Sequence, residues 1–186
     1  SGDASTAMGN NAEASGQTAT AMGSYTTASA MESTAMGGYT TATGRGSTAM
    51  GYITTASGAY STAGGYKTEA SGNYSTAFGA NTTAIGNYST VFGHNSTANG
   101  TNSSAMGTAL VSAGKSSLAL GNEMVVLGDY SVGIGLNDFI GAPPVITQNN
   151  VLVIMGGRVA IDNPNPAITS KLTVGGMPNT PSDASG

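Results

Sequence analysis

Glycine returns every seven residues along most of this chain, and few folds can satisfy that rule. From Gly9 it recurs at 16, 23, 37, 44, 51, 58, 65, 72, 79, 86, 93, 100, 107, 114, 121, 128 and 135, with Ala30 the single miss. Ala lies two residues before most of these positions, as at Ala7, Ala14, Ala21, Ala28, Ala35, Ala42 and Ala49. A fixed period of this kind marks a stacked-repeat architecture, in which no unit buries a core alone. Helix is disfavoured, because frequent glycine and β-branched threonine both oppose it. Each unit reads as a short strand, such as Ser33-Thr34-Ala35-Met36, followed by a glycine-led corner where positive φ is needed.

The full period is fourteen, because the residue before each glycine alternates in kind. One series runs Met8, Met22, Met36, Met50, Gly64, Phe78, Phe92, Met106, Leu120, Ile134; the other runs Ser15, Ser29, Thr43, Ser57, Ser71, Ile85, Asn99, Ala113, Leu127. Two strands and two turns then make one coil, and coils stack through backbone hydrogen bonds at about 4.8 Å. The predicted fold is all-β, a single-stranded β-roll or β-solenoid of fourteen-residue coils over residues 1–135, with a β-rich connector over 136–186.

Residues 1–90 contain no Leu and no Val, and their bulky apolar side chains besides Met and Tyr are Ile53, Phe78 and Ile85. So few large side chains cannot fill a conventional core, so the chain must stack small units, associate with other chains, or both. Side chains alternate along a strand, so Ala35 points one way and Thr34 and Met36 the other. Ala occurs in both strand types, which assigns it to the narrow interior. The alternate residues then form a stripe on the outside of a single chain: Met8, Met22, Met36, Met50, Phe78, Phe92, Met106, Leu120 and Ile134. An apolar stripe of that length in water marks an association surface. Three such stripes meeting on an axis would supply the missing core, so a homotrimer is expected. The opposite assignment, with Met and Thr inside, would bury a Thr hydroxyl in every strand and require a partner for each.

The remaining composition narrows the function classes. Only 8% of residues are charged, the net charge is −4, and Lys plus Arg number five, so no basic patch exists for nucleic acid. No apolar run approaches the roughly 20 residues that span a bilayer, so no membrane insertion is expected within this chain. Without cysteine there is neither a disulfide framework nor a thiolate metal site. Because the chain starts at Ser1 rather than Met, a processed piece of something longer is expected.

The unit Ser-Thr-Ala-Met-Gly, with variants Ser75-Thr76-Ala77-Phe78-Gly79 and Ser117-Leu118-Ala119-Leu120-Gly121, resembles the Ser-Val-Ala-Ile-Gly repeat of YadA-type adhesin heads over about residues 3–135. The resemblance implies a homotrimer of left-handed, single-stranded β-rolls with fourteen-residue coils. It also implies an extracellular location and attachment to host-surface proteins or glycans. The chain departs from the family in carrying Thr for the usual Val and often Met for the usual Ile. Beyond Gly135, Val151-Leu152-Val153-Ile154-Met155, Gly156-Gly157 and Arg158-Val159-Ala160-Ile161 read as a β-hairpin with a two-glycine turn. The stretch from Val159 through Ser170-Lys171-Leu172-Thr173-Val174-Gly175-Gly176 resembles junctions in phage and viral tail fibres. Such junctions often precede a self-cleaving chaperone domain, and a Pro/Ser-rich end at Gly186 fits its loss.

Catalytic chemistry finds little support, and neither enzyme activity nor a cofactor is expected. The one histidine, His94, falls in a turn, and Glu13, Glu69, Asp129 and Asp138 form no pair repeating at coil spacing. Tyr25 and Tyr39 recur in one turn column and Tyr60, Tyr74 and Tyr88 in the other, with Tyr52 and Tyr66 one residue nearer their glycines. These read first as ladders protecting the corners, and second as rows for sugar or protein contact. Thr27, Thr41 and Thr55, with Ser29, Thr43 and Ser57, form an outward Thr/Ser array. Such an array suits surface contact or, as the alternative function, ice binding, although Glu13 and Glu69 interrupt it. Sequons at Asn73, Asn81, Asn87, Asn95, Asn99 and Asn102 follow from Asn in turns and Ser/Thr at strand starts. The expected role is a rigid trimeric rod, at a cell surface or in a virion fibre, that attaches by repeated contacts.

Overall fold

The computed structural model describes residues 2–136 and 142–156; the second arm of the expected hairpin, Asp138 and the rest of the C-terminal segment lie outside these residues. Every described element is a β-strand. Five-residue strands (Thr20–Ser24, Thr34–Gly38, Thr48–Tyr52, Thr62–Tyr66, Thr76–Ala80, Thr90–His94) alternate with two-residue strands (Thr27–Ala28, Thr41–Ala42, Thr55–Ala56, Glu69–Ala70, Thr83–Ala84, Thr97–Ala98). All pairings among them are parallel and join each residue to the one fourteen later, as in Met22↔Met36 and Ala42↔Ala56. The predicted fourteen-residue solenoid is therefore the fold. Two nine-residue strands, Ser104–Ser112 and Leu118–Val126, run through a corner and belong to both ladders.

At the comb glycines the backbone of the next coil occupies the space a side chain would need. A Cβ on Gly51 would collide with the carbonyl oxygen of Gly65, and one on Gly58 with that of Gly72. The comb therefore exists first because neighbouring coils leave no room for a side chain. After the long strands the same glycines also take positive φ, +117° at Gly51.

A second seven-residue column carries the corner itself. Two residues beyond each comb position the backbone is left-handed, from Thr18 and Tyr25 to Glu123 and Tyr130, with φ between 46° and 62°. Gly46 is its one glycine; Tyr, Asn, Lys, Glu, Thr and Ile are among the other occupants. Such a conformation costs about 1 kcal/mol or more per non-glycine residue, and the coil-to-coil hydrogen bonds hold it. Thus Tyr25 N–H donates to Asn10 O at 2.8 Å and Tyr39 N–H to Ser24 O at 2.9 Å.

The interior has two inward positions per strand. One is the expected alanine column, from Ala14 and Ala21 to Ala119, fully or almost fully buried. The other, two residues earlier, is a column of serine and threonine buried just as completely, including Ser33, Ser47, Ser61, Thr26, Thr40 and Thr54. Ser33 and Ser117 donate their hydroxyls to carbonyls three residues back, at 2.6 and 2.7 Å. Thr40, Ser47, Thr54, Ser61 and Thr68 have buried hydroxyl oxygens with no hydrogen-bond partner. Hydroxyl burial thus occurs with Ala inside, through Ser and Thr at a different strand position from the outward Thr.

Towards the C-terminal end the interior becomes conventional. Leu110, Met124, Val126 and Ile146 take inward positions, and Gly133 replaces alanine opposite them because a Cβ there would strike Met124, Val126 and Ile146. The sheet also runs past the expected boundary at Gly135. Val145–Ile146 pairs with Val125 and Val126, and Leu152–Met155 pairs with Val132 to Gly135, both in parallel. The step there is 20 residues (145 − 125), six more than a coil, and the parallel stack resumes beyond it. Leu152–Met155, expected as a hairpin arm, is thus a strand of the solenoid.

Two stability outcomes follow. Gly51→Ala should lower stability by more than about 2 kcal/mol, since it adds a Cβ against a fixed carbonyl and strains φ. Thr54→Val should raise stability by about 1 kcal/mol by removing an unpaired buried hydroxyl at nearly constant volume. Denaturant melts of both variants against the parent check the pair; a destabilised Thr54→Val would mean that its hydroxyl is bonded.

Candidate association and contact surfaces

The outer face of the long strands carries an apolar ladder along the whole rod. Register places Met8 beside Met22, then Met36, Met50, Gly64, Phe78, Phe92, Met106, Leu120, Ile134 and Ile154. Within the single chain Met8 is 60% exposed and Met22, Phe92, Met106 and Leu120 are 37–44% exposed. Met36, Met50, Phe78 and Ile134 are half-buried by their neighbours in the ladder. The interruption at Gly64 is filled from the next coil, where the Phe78 ring occupies the space a side chain on Gly64 would need. Phe78 and Phe92 then stack at 5.8 Å. The column beside this ladder is Thr20, Thr34, Thr48, Thr62, Thr76 and Thr90, giving way to Leu118, Val132 and Leu152, so apolar character grows towards the C-terminal end.

The tyrosines project from the corners, each about half exposed. Tyr25 and Tyr39 stack at 4.9 Å, and Tyr39 meets Tyr52 edge to face at 5.6 Å. Tyr52 continues to Tyr66 at 5.9 Å, with the Lys67 ammonium 5.3 Å from the Tyr66 ring centre. On the opposite corner Tyr60, Tyr74 and Tyr88 stack at 5.3 and 5.1 Å. The predicted ladders therefore form, and the structure joins the two tyrosine columns at the first corner into one. Tyr130, in the same left-handed column, carries Lys115 at 5.9 Å from its ring.

The second corner has a further device. Ala59 N–H donates to Asn73 Oδ1 and Asn73 N–H to Asn87 Oδ1, both at 3.0 Å across one coil. Lys115 N–H to Asp129 Oδ1 and Asp129 N–H to Asn149 Oδ1 repeat the pattern at 2.7 and 2.8 Å. Asn73, Asn87 and Asp129 thus bind a corner amide of the preceding coil; a side-chain acceptor recurring with the coil period was the signal for it.

Thr27, Thr41 and Thr55 lie in register on the outer face of the short strands, half-buried, with Ser29, Thr43 and Ser57 more exposed beside them. Glu13 and Glu69 occupy the same column and break the array. A shallow open cleft lies nearby, lined by Ile53, Thr55, Lys67, Thr68, Glu69 and Thr83. His94 stands exposed between Ala80 and Thr108 in the ladder. Among the described residues no three His, Asp or Glu side chains converge on a point that could hold a metal ion.

What repeats on this rod is an apolar ladder, tyrosine corners and a Thr/Ser array, each at coil spacing. Comparison with curated proteins gives no match. The family model of the YadA head domain repeat matches at residues 1–25, 14–40, 42–68, 65–82 and 84–109, together more than half of the chain. On this match, and on the fourteen-residue coil that carries it, the chain belongs to the YadA head repeat family.

Proposed function

We propose that this chain is a segment of a parallel homotrimeric adhesive fibre, with the long-strand outer face turned towards the shared axis. The observation that carries the reading is the in-register ladder from Met8 to Ile134, exposed or half-buried on a chain whose own interior is mostly Ala, Ser and Thr. At about 25 cal/mol per Å2 of apolar surface, covering such a ladder between copies would stabilise the assembly. The family forms homotrimers in general and is surface-exposed, which supports both the assembly and a place outside the cell. A fibre carried by a virion would use the same architecture.

In this reading attachment comes from repetition. The tyrosines at 25, 39, 60, 74 and 88 stand half-exposed at the corners, and the threonines at 27, 41 and 55 lie on the outer face of the short strands. Each offers a weak contact, and a trimer offers every one three times, so avidity replaces a deep pocket. Host-surface proteins or glycans are the partners this arrangement suits. The Thr/Ser array supports ice binding as a second reading, weakened by Glu13 and Glu69 within the same column.

Light scattering on the parent and on a Met22→Asp, Met36→Asp double variant tests the assembly. The parent should have three times the chain mass, and the variant should dissociate or fail to fold, because charge would be buried on the axis. A stable monomer in both would overturn the trimer, and thermal hysteresis of that monomer would then establish the ice-binding reading.

A further inference from the structure

We propose that the stacked pairs Tyr25–Tyr39 and Tyr74–Tyr88 are sites of intrachain dityrosine cross-linking under peroxidase-type oxidants. Their ring centres lie 4.9 and 5.1 Å apart with planes within 2° of parallel. All four rings are 47–57% exposed, so an oxidant reaches them without unfolding. All four residues sit in the left-handed corner column, where coil-to-coil hydrogen bonds fix the backbone and leave the rings free to turn outward.

The chemistry needs proximity above all. Each phenol gives one electron to the oxidant and one proton to water, leaving a tyrosyl radical. Two radicals join through the ring carbons ortho to their hydroxyls, and tautomerisation returns the two ring hydrogens to the oxygens. One hydrogen peroxide accepts the two electrons and two protons and becomes two waters. In solution the meeting of two dilute radicals is the difficult step; here the rings already touch, and the reaction becomes effectively unimolecular. The chain has no cysteine to reduce a tyrosyl radical first.

The same geometry ranks the other tyrosines. Tyr60 competes with Tyr88 for Tyr74, but its ring is 5.3 Å away and tilted by 16°. Tyr52–Tyr66 is wider, at 5.9 Å, and the Lys67 ammonium beside Tyr66 opposes removal of an electron from that ring. Tyr130 stacks on no other ring among the described residues, so it can couple only between molecules. Each cross-link would join residues fourteen apart, one coil to the next, as a covalent staple in a sequence without cysteine.

The test treats the full chain with a peroxidase and hydrogen peroxide, then uses a denaturing gel, dityrosine fluorescence and mass spectrometry of proteolytic peptides. Fluorescence should run with the single-chain band, and the Tyr25–Tyr39 and Tyr74–Tyr88 peptides should dominate, each lighter by two hydrogens. Tyr39→Phe should lose the first cross-link alone and Tyr74→Phe the second, with either ring stack kept, while Tyr130→Phe should change neither. Dityrosine found only in chain dimers or larger, or no more frequent at these pairs than at Tyr52–Tyr66, would overturn the proposal. The peptide map of the unmutated chain separates these outcomes even if a variant misfolds.

Discussion

Everything in this structure depends on parallel backbone pairing between coils that approach closely enough to exclude a side chain at the comb glycines. Gly51 against Gly65 and Gly58 against Gly72 leave no space for a Cβ. Once coils stack at that distance, every fourteenth residue is a neighbour, and like side chains line up automatically. The tyrosine stacks, the asparagine ladder and the apolar stripe are all consequences of this one translation. The left-handed corners follow too, because the chain must turn sharply twice per coil. Stacking of about 0.5–1.5 kcal/mol per aromatic pair offsets much of the strain of a tyrosine at such a corner.

So thin a coil has a weak interior. Alanine on one inward column and Ser or Thr on the other bury little apolar area and leave hydroxyls such as those of Thr54 and Ser61 without partners. Large apolar side chains enter the interior at Val91 and, towards the C-terminal end, at Leu110, Met124, Val126 and Ile146; elsewhere they lie outside it. Met, Phe, Leu and Ile stand on the outer face of the long strands, where a single chain covers them only in part. Under the proposed assembly, stability and association would be linked, because the apolar ladder would be covered only between copies.

Much of this is legible from residue order. The glycine comb gives the coil, the alternation Met/Ser before glycine gives two strand types, and strand periodicity puts Ala inside and Met outside. The buried Ser and Thr follow from the same periodicity, since Ser33 and Ala35 must face the same way, but a polar residue gives no sign of burial by itself. The left-handed column escapes notice because its occupants, including Thr18, Ile53 and Tyr60, are residues that rarely adopt that conformation. The ladder beyond Gly135 is hidden by the 20-residue step, which breaks the sequence period while preserving the spatial one. Positions on the apolar stripe can be read directly. What covers the stripe cannot, because nothing within one chain reaches across it.

Methionine oxidation by dilute peroxide, followed residue by residue on the native protein, reads that coverage directly. Met31, Met36 and Met50 are all half-buried within one chain, but Met31 lies at a short-strand corner while the other two belong to the long-strand ladder. Burial of the ladder between copies predicts that Met36 and Met50 are protected while Met31 oxidises readily. Equal oxidation rates at all three would contradict it and leave the apolar ladder facing water.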